Sequence, residues 1–237
     1  MKAILLIPAA GTGRRMGARI SKQYLELDGK PLLAHTLALF DDHPLVEAIY
    51  PIVPAADIAY CQTQILDPYR FHRVRRLVAG GEQRQDSVRN GLAALAADGY
   101  NEPDRPILIH DGARPLFDPQ LLGALLERIR SDGACIVATP VKDTIKQAVA
   151  GRIVATPARH QLWQAQTPQG FRYAILAAAF SRAAAAHTAA TDDAALVADA
   201  GYPVYLLEGD DRNIKITTPA DLLIAAALLD SRKEKSA

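Results

Sequence analysis

The chain is 237 residues long and 49% hydrophobic, with 27 basic residues against 26 acidic ones and a formal charge of +1. A chain of this length buries roughly 70 to 75% of its unfolded surface as one large domain, so no outside staple is required. The near-zero balance excludes a global nucleic-acid or anionic-membrane surface and leaves small anions, held by local clusters, as the expected partners. Cys61 and Cys135 show neither metal-ligand nor redox spacing, the apolar run 4–7 is too short for a secretory core, and no apolar stretch reaches the roughly eighteen residues of a spanning helix. These features point to a reducing cytoplasm.

In chain order, apolar runs at 3–7, 46–53, 74–78, 106–110, 134–138 and 203–207 predict strands, alternating with helical patterns near 31–41, 55–66, 83–97, 118–131, 172–186, 191–200 and 218–231. The alternation predicts one α/β domain over 1–237: a Rossmann-like, mostly parallel sheet with helices on both faces. Right-handed crossovers then set the strand-following loops along one edge, where ligands bind. Asp118-Pro119 and Thr217-Thr218-Pro219 are placed as helix starts. The alanine-rich segment 174–190, interrupted by Arg182 and His187, reads as a packed amphipathic helix. Segments 142–146 and 152–156 flank Val149-Ala150-Gly151 and read as a hairpin arm at about 140–160. Lone two-stranded ribbons are marginal in water, so the arm packs on another subunit, folds over the site, or stands as a bare flap. Residues 232–237 read as a frayed tail.

The first loop carries the strongest chemical signal. Pro8-Ala9-Ala10-Gly11-Thr12-Gly13-Arg14-Arg15-Met16-Gly17 follows the first strand, and its glycines permit a tight turn that presents bare amides to an anion. Arg14, Arg15 and Lys22 add cations that a dinucleotide loop does not usually carry, so the expected ligand is a polyphosphate undergoing reaction. The bland alternative is a glycine-rich turn with solvated basic residues. The dinucleotide fingerprint fails on glycine spacing and on the missing downstream acid, and the P-loop fails because Gly29-Lys30 runs into Pro31.

Three further segments sit at strand ends. In Gly80-Gly81-Glu82-Gln83-Arg84-Gln85-Asp86-Ser87-Val88, Ser87 and nearby carbonyls could read a base edge, whereas Glu82, Arg84 and Asp86 could be only capping and solvated-face charges. Asp111, just past the apolar run 106–110, could hold Mg²⁺ through oxygen or pair with Arg114, itself read as structural. His110 has no second histidine at ligand spacing and is read as a satisfied core-edge residue. Lys215, between Ile214 and Ile216 and before a capped helix, is placed like a charge fixed beside a reacting phosphate. Thr167-Pro168-Gln169 reads as a turn whose hydroxyl could hold a phosphate, and Trp163 as packing.

Taken with Lys22-Gln23-Tyr24, His110-Asp111-x-Ala113-Arg114-Pro115, Pro140-Val141-x-Asp143-Thr144 and Asn213-Ile214-Lys215, these motifs resemble the 2-C-methyl-D-erythritol 4-phosphate cytidylyltransferases of the non-mevalonate isoprenoid pathway over nearly the whole chain. The resemblance implies that Ala10, Gly11, Gly81, Glu82 and Ser87 surround the cytosine, that Gly13 also binds the nucleotide, and that Asp111 and Ala113 lie near the metal and ribose. It implies that Arg15, Lys22 and Lys215 contact the triphosphate, and that Thr144, Arg159 and Thr167 hold methylerythritol phosphate. The arginine matching Arg159 reaches the partner's site in that family, which makes the arm a homodimerisation element. Gly112 stands where many members have alanine, which could loosen the loop aiming Asp111, and Glu82 stands where aspartate is common.

The implied reaction is direct attack by the substrate phosphate on the α-phosphorus of CTP, assisted by Mg²⁺ and by the fixed cations. Two alternatives remain: a ribitol 5-phosphate cytidylyltransferase, which usually shows Ala-Gly-Gly where this chain has Ala9-Ala10-Gly11, and a CTP-binding module without turnover. Neither nucleic acid nor membrane is an expected partner.

Overall fold

The computed structural model describes residues 1–11 and 21–236, with side chains as far as Ser231. The expected loop residues Gly13, Arg14 and Arg15 lie outside the described residues.

A seven-stranded sheet is built from β1 (Ala3–Pro8), β4 (Val46–Val53), β5 (Val78–Ala79), β6 (Pro106–Ile109), β7 (Ala134–Pro140), β10 (Trp163–Arg172) and β11 (Tyr205–Glu208), in the spatial order β11-β7-β10-β6-β1-β4-β5. Two small ribbons, β2 (Glu26–Leu27) with β3 (Lys30–Pro31) and β8 (Gln147–Val149) with β9 (Arg152–Ala155), stand apart from it. The strand pairs β1–β4, β1–β6, β4–β5 and β7–β11 are parallel, and only β10 runs antiparallel to its neighbours β6 and β7.

Alternation along buried strands assigns side chains to two layers. Leu5, Ile7, Ile49, Val53 and Val137 face α1 (Leu32–Asp41) and α5 (Leu122–Asp132), where Leu33, Leu37, Phe40, Leu125 and Ile129 meet them. Ile4, Leu6, Tyr50, Ile52 and Ile136 face the other way, onto α4 (Arg84–Ala97), α6 (Tyr173–Ala186) and α7 (Asp193–Asp199). The run between β4 and β5 is a winding segment in which α2 (Ile58–Cys61), a π turn (Gln62–Leu66) and α3 (Asp67–Tyr69) follow one another. α8 (Pro219–Ser236) closes the chain over a small cluster of Leu27, Leu32, Leu116, Ile216 and Ala225. Its start is capped as the sequence predicts: Asp221 Oδ2 accepts from the backbone N–H groups of Thr217 and Thr218, and Thr218 Oγ1 accepts from Asp221.

Four sequence expectations change. The run 74–78 reduces to a bridge from Val74 to Ile49 and the short β5. The arm's first strand begins at Gln147 instead of Lys142, and its turn uses left-handed Ala150 and Gly151. Thr167-Pro168-Gln169 is not a turn between elements: it lies inside β10, at an irregularity between Ala165 and Gln169 where the Thr167–Pro168 peptide is cis. Trp163 does not pack in the core and is 38% exposed at the start of β10.

Candidate active site

Four loops leave the carboxyl ends of β1, β5, β6 and β11 and meet at one rim. Backbone bonds fasten them: Ala9 N–H to Ile52, Gly80 N–H to Val53, Gly112 N–H to Pro8 and Ile216 N–H to Ala113. Gly80 is required by this meeting, because a Cβ there would sit 2.4 Å from the Ala10 Cβ. At Gly112, where the sequence suggested a looser Asp111 loop, a Cβ would stand 2.9 Å from the Ala9 Cβ, and the Gly112 carbonyl accepts from Thr36 in α1. Glycine there lets two loops touch.

The loops enclose a cavity of about 280 Å³ lined by Ala10, Gly11, Lys22, Gly81, Glu82, Arg84, Ser87, Asp111, Ala113 and Lys215, among others. Every described nucleotide candidate from the sequence is in that set. Ser87 is committed to the loop's shape: its hydroxyl donates to the Gln83 carbonyl and accepts from Gly81 N–H at 3.0 Å, while Asp86 accepts from Gln83 N–H as a helix cap. Sequence reasoning missed Arg84 as a lining residue. It is not a solvated-face charge: its guanidinium reaches 2.5 Å from the fully buried Asp193 carboxylate.

Asp111 is the electrostatic centre. Its carboxylate lies 2.9 Å from Lys215, 3.4 Å from Arg114 and 3.9 Å from Arg84. Burial alone would favour the neutral acid, but these three cations outweigh it and hold Asp111 well below the usual carboxylate range. Asp111 thus pairs with Arg114, one of the two readings offered for it, and also faces the cavity.

Behind Asp111 stands a buried relay. His110 Nε2 faces the Arg114 carbonyl at 3.0 Å, which fixes the proton on Nε2 because a carbonyl can only accept. Burial pushes the imidazole down to about 4, so it is neutral at pH 7 and its bare Nδ1 accepts from Thr167 Oγ1 at 3.1 Å. Thr167 Oγ1 in turn accepts from Asp111 N–H at 3.1 Å. His110 is thus the satisfied histidine expected. Thr167 is 4% exposed and does not line the cavity, and its only proton is spent on His110.

The Lys215 loop is pinned by Asn213. Its amide donates to Gln166 Oε1 and to the Thr167 carbonyl at the irregular part of β10, while Arg114 donates to the Asn213 carbonyl at 2.6 Å. A second cavity of about 270 Å³, lined by Arg114, Gln164, Gln166, Asp211 and Thr217, adjoins the first at Lys215. Thr144 and Arg159 lie exposed on the arm, with Arg159 donating to the Lys142 carbonyl, and neither lines either cavity.

Four rim loops around a cation-edged cavity on a mostly parallel sheet are the marks of a nucleotidyltransferase. The family described as 2-C-methyl-D-erythritol 4-phosphate cytidylyltransferase matches residues 3–231, and the chain belongs to that family. Relatives of the same name from Syntrophotalea carbinolica and Geotalea uraniireducens are 52% and 50% identical, covering 98% of this chain and 97% and 98% of their own. Among solved structures, a 4-diphosphocytidyl-2C-methyl-D-erythritol synthase aligns at TM-score 0.80 with 37% identity, covering 96% of this chain and 98% of that one. The 2-C-methyl-D-erythritol 4-phosphate cytidylyltransferase from Thermus thermophilus aligns at 0.77 with 34% identity over the same shares.

Proposed function

We propose that this chain transfers the cytidylyl group of CTP to 2-C-methyl-D-erythritol 4-phosphate, releasing pyrophosphate, with Lys22 and Lys215 as the described cations that stabilise the reacting phosphates. The observation that carries this reading is their convergence: residues 193 positions apart in sequence, 215 − 22, line one cavity beside the glycine loops. In this reading the base end is formed by Ala10, Gly11, Gly81, Glu82 and Ser87, and the phosphate end by Lys22 and Lys215; the expected contacts of Gly13 and Arg15 lie outside the described residues. The substrate phosphate approaches from the second cavity, so that Lys215, shared by both, lies between nucleophile and α-phosphate. No covalent enzyme intermediate is required, because positioning and charge stabilisation carry phosphoryl chemistry of this kind.

A divalent cation such as Mg²⁺ fits this site in a limited form. Among the described residues no group of three or more His, Cys, Asp or Glu could hold a metal, and the cavity offers one buried carboxylate, Asp111, already facing three cations. Such a donor set suits an ion that arrives on the triphosphate, with Asp111 supplying at most one oxygen. The ion's chemistry is to neutralise phosphate charge.

The arm completes a homodimer in this reading. Ile145, Val149, Ile153 and Val154 on the arm are 41%, 63%, 58% and 45% exposed, an apolar surface that a two-stranded ribbon does not leave in water without a partner. The partner's Thr144 and Arg159 would then hold methylerythritol phosphate, which explains why neither reaches the cavity of its own chain. Buried free Cys61 and Cys135 accord with a reducing compartment, and among the described residues no helix is long and apolar enough to cross a membrane. The test is pyrophosphate release from CTP with methylerythritol phosphate, ribitol 5-phosphate or no acceptor. Release with the first alone supports the proposal, while preference for ribitol 5-phosphate or binding without release refutes it.

A further inference from the structure

Arg84 occupies an unfavourable place for a cation. It is the first residue of α4, where the helix dipole disfavours positive charge, and its side chain is only 31% exposed. Its counter-ion, Asp193, is the first residue of α7, 109 positions away, and is fully buried with its second oxygen, Oδ1, lacking any hydrogen-bond partner. A buried ion pair gives weak net stability and is often matched or exceeded by apolar residues of similar volume. The surrounding structure nevertheless secures the pair. Gln169 in β10 donates to the α7 cap Asp192 at 2.8 Å and accepts from Ala194 N–H at 3.0 Å, fixing the turn that aims Asp193.

The result of this arrangement faces the cavity. One Asp193 oxygen stands 2.5 Å from Arg84 Nη2, Asp111 stands 3.9 Å from Arg84 Nε, and Arg84 lines the same cavity as Ser87 and Asp111. A guanidinium has five N–H donors in a fixed plane, so one carboxylate leaves donors for a second anion. We propose that Arg84 is a further nucleotide-binding residue, meeting the ribose and α-phosphate segment of CTP, and that Asp193 is the positioning residue that holds it there. The inference rests on the cytidylyltransferase reading for the identity of its ligand.

The test is CTP affinity by calorimetry, with steady-state KM for each substrate and a thermal melt, on the full chain. Asp193→Asn keeps the shape but weakens the hold on Arg84, and Arg84→Met/Asp193→Leu removes both charges and leaves no buried orphan. Both variants are expected to raise the CTP Kd about 10- to 100-fold, the span of a charge-assisted hydrogen bond, with KM for methylerythritol phosphate unchanged within about twofold. The double replacement is expected to melt near the parent temperature, which separates lost binding from lost folding. Parental CTP affinity in a folded double variant overturns the proposal, as does an equal rise in both KM values. A parent that binds CTP but does not turn it over would instead refute the assigned reaction and leave this binding test intact.

Discussion

Replacing Thr167 by valine and by serine measures what its hydroxyl does. Valine is nearly isosteric and leaves no cavity, but strands two buried groups, the Asp111 N–H and His110 Nδ1, each now 3.1 Å from the hydroxyl oxygen. An unsatisfied buried donor or acceptor costs about 1 to 3 kcal/mol, so Thr167→Val should cost about 2 to 6 kcal/mol. At about 2 to 4 °C per kcal/mol for a chain of this size, the melting temperature should fall by at least about 4 °C. Thr167→Ser keeps both hydrogen bonds and loses one methyl group, about 1 kcal/mol. Urea and thermal unfolding followed by circular dichroism give the ordering directly, and turnover should follow it, because the same oxygen sets the Asp111 backbone. A valine variant as stable as the serine variant would refute the relay. If valine instead raised only the KM for methylerythritol phosphate, the hydroxyl would be a substrate contact after all.

Lys22→Ala and Lys215→Ala should each lower turnover by about two to three orders of magnitude, the loss of about 2.7 to 4 kcal/mol of preorganised charge, while circular dichroism stays unchanged. Val149→Asp with Ile153→Asp should turn the proposed dimer into monomers in sedimentation velocity and remove activity, since in that reading each site would lose the partner's arm. Gly80→Ala drives a Cβ to 2.4 Å from Ala10 and 3.1 Å from Ser87 Oγ, so it should cost about 1 to 3 kcal/mol of stability and raise the KM for CTP. Asp221, whose burial is outweighed by hydrogen bonds from Thr217 and Thr218, is held below the usual carboxylate range. Its contribution is present above about pH 4, the unfolded value, and fades as pH falls through the lower folded value. Asp221→Ala should therefore cost about 0.5 to 2 kcal/mol at neutral pH, and less in acid, by urea titration at each pH.

The sequence made the central strands legible because burial on both faces writes them as near-continuous apolar runs, as in Ala3–Pro8 and, interrupted only by the exposed Glu47, Val46–Val53. β10 lacks that signature. Gln166 serves Asn213 and the Asp210 carbonyl, Thr167 serves His110, and Gln169 serves Asp192, so a strand that supports loops reads as polar and turn-like. The rim candidates were legible for a related reason: Gly11, Gly81 and Asp111 each fall just past a strand end, and Lys215 lies on the loop that follows β11, where the topology must gather them. Arg84 was not, because a charged residue at a helix start looks solvated until its partner 109 residues away is known. The arm was legible as a hairpin, whereas the exposure of Val149 and Ile153 on it shows only in the structure.

The ion pair between Lys215 and Asp111 bears on how catalysis is prepared. A lysine 39% exposed in its side chain would normally sample many rotamers, at about 2 kcal/mol of entropy to fix. Here Asp111 holds the ammonium at 2.9 Å, and Asn213 clamps the loop beneath it, so the cost of placing the charge is met on folding and not in the transition state. Arg114 and Arg84 keep Asp111 ionised when phosphate oxygens compete for Lys215, because two cations remain within 3.9 Å of the carboxylate. In the proposed reaction, the carboxylate thus releases its lysine to the nucleotide without becoming a buried, unpaired charge. That is the physical reason for surrounding one acid with three bases at a site whose ligand is itself an anion.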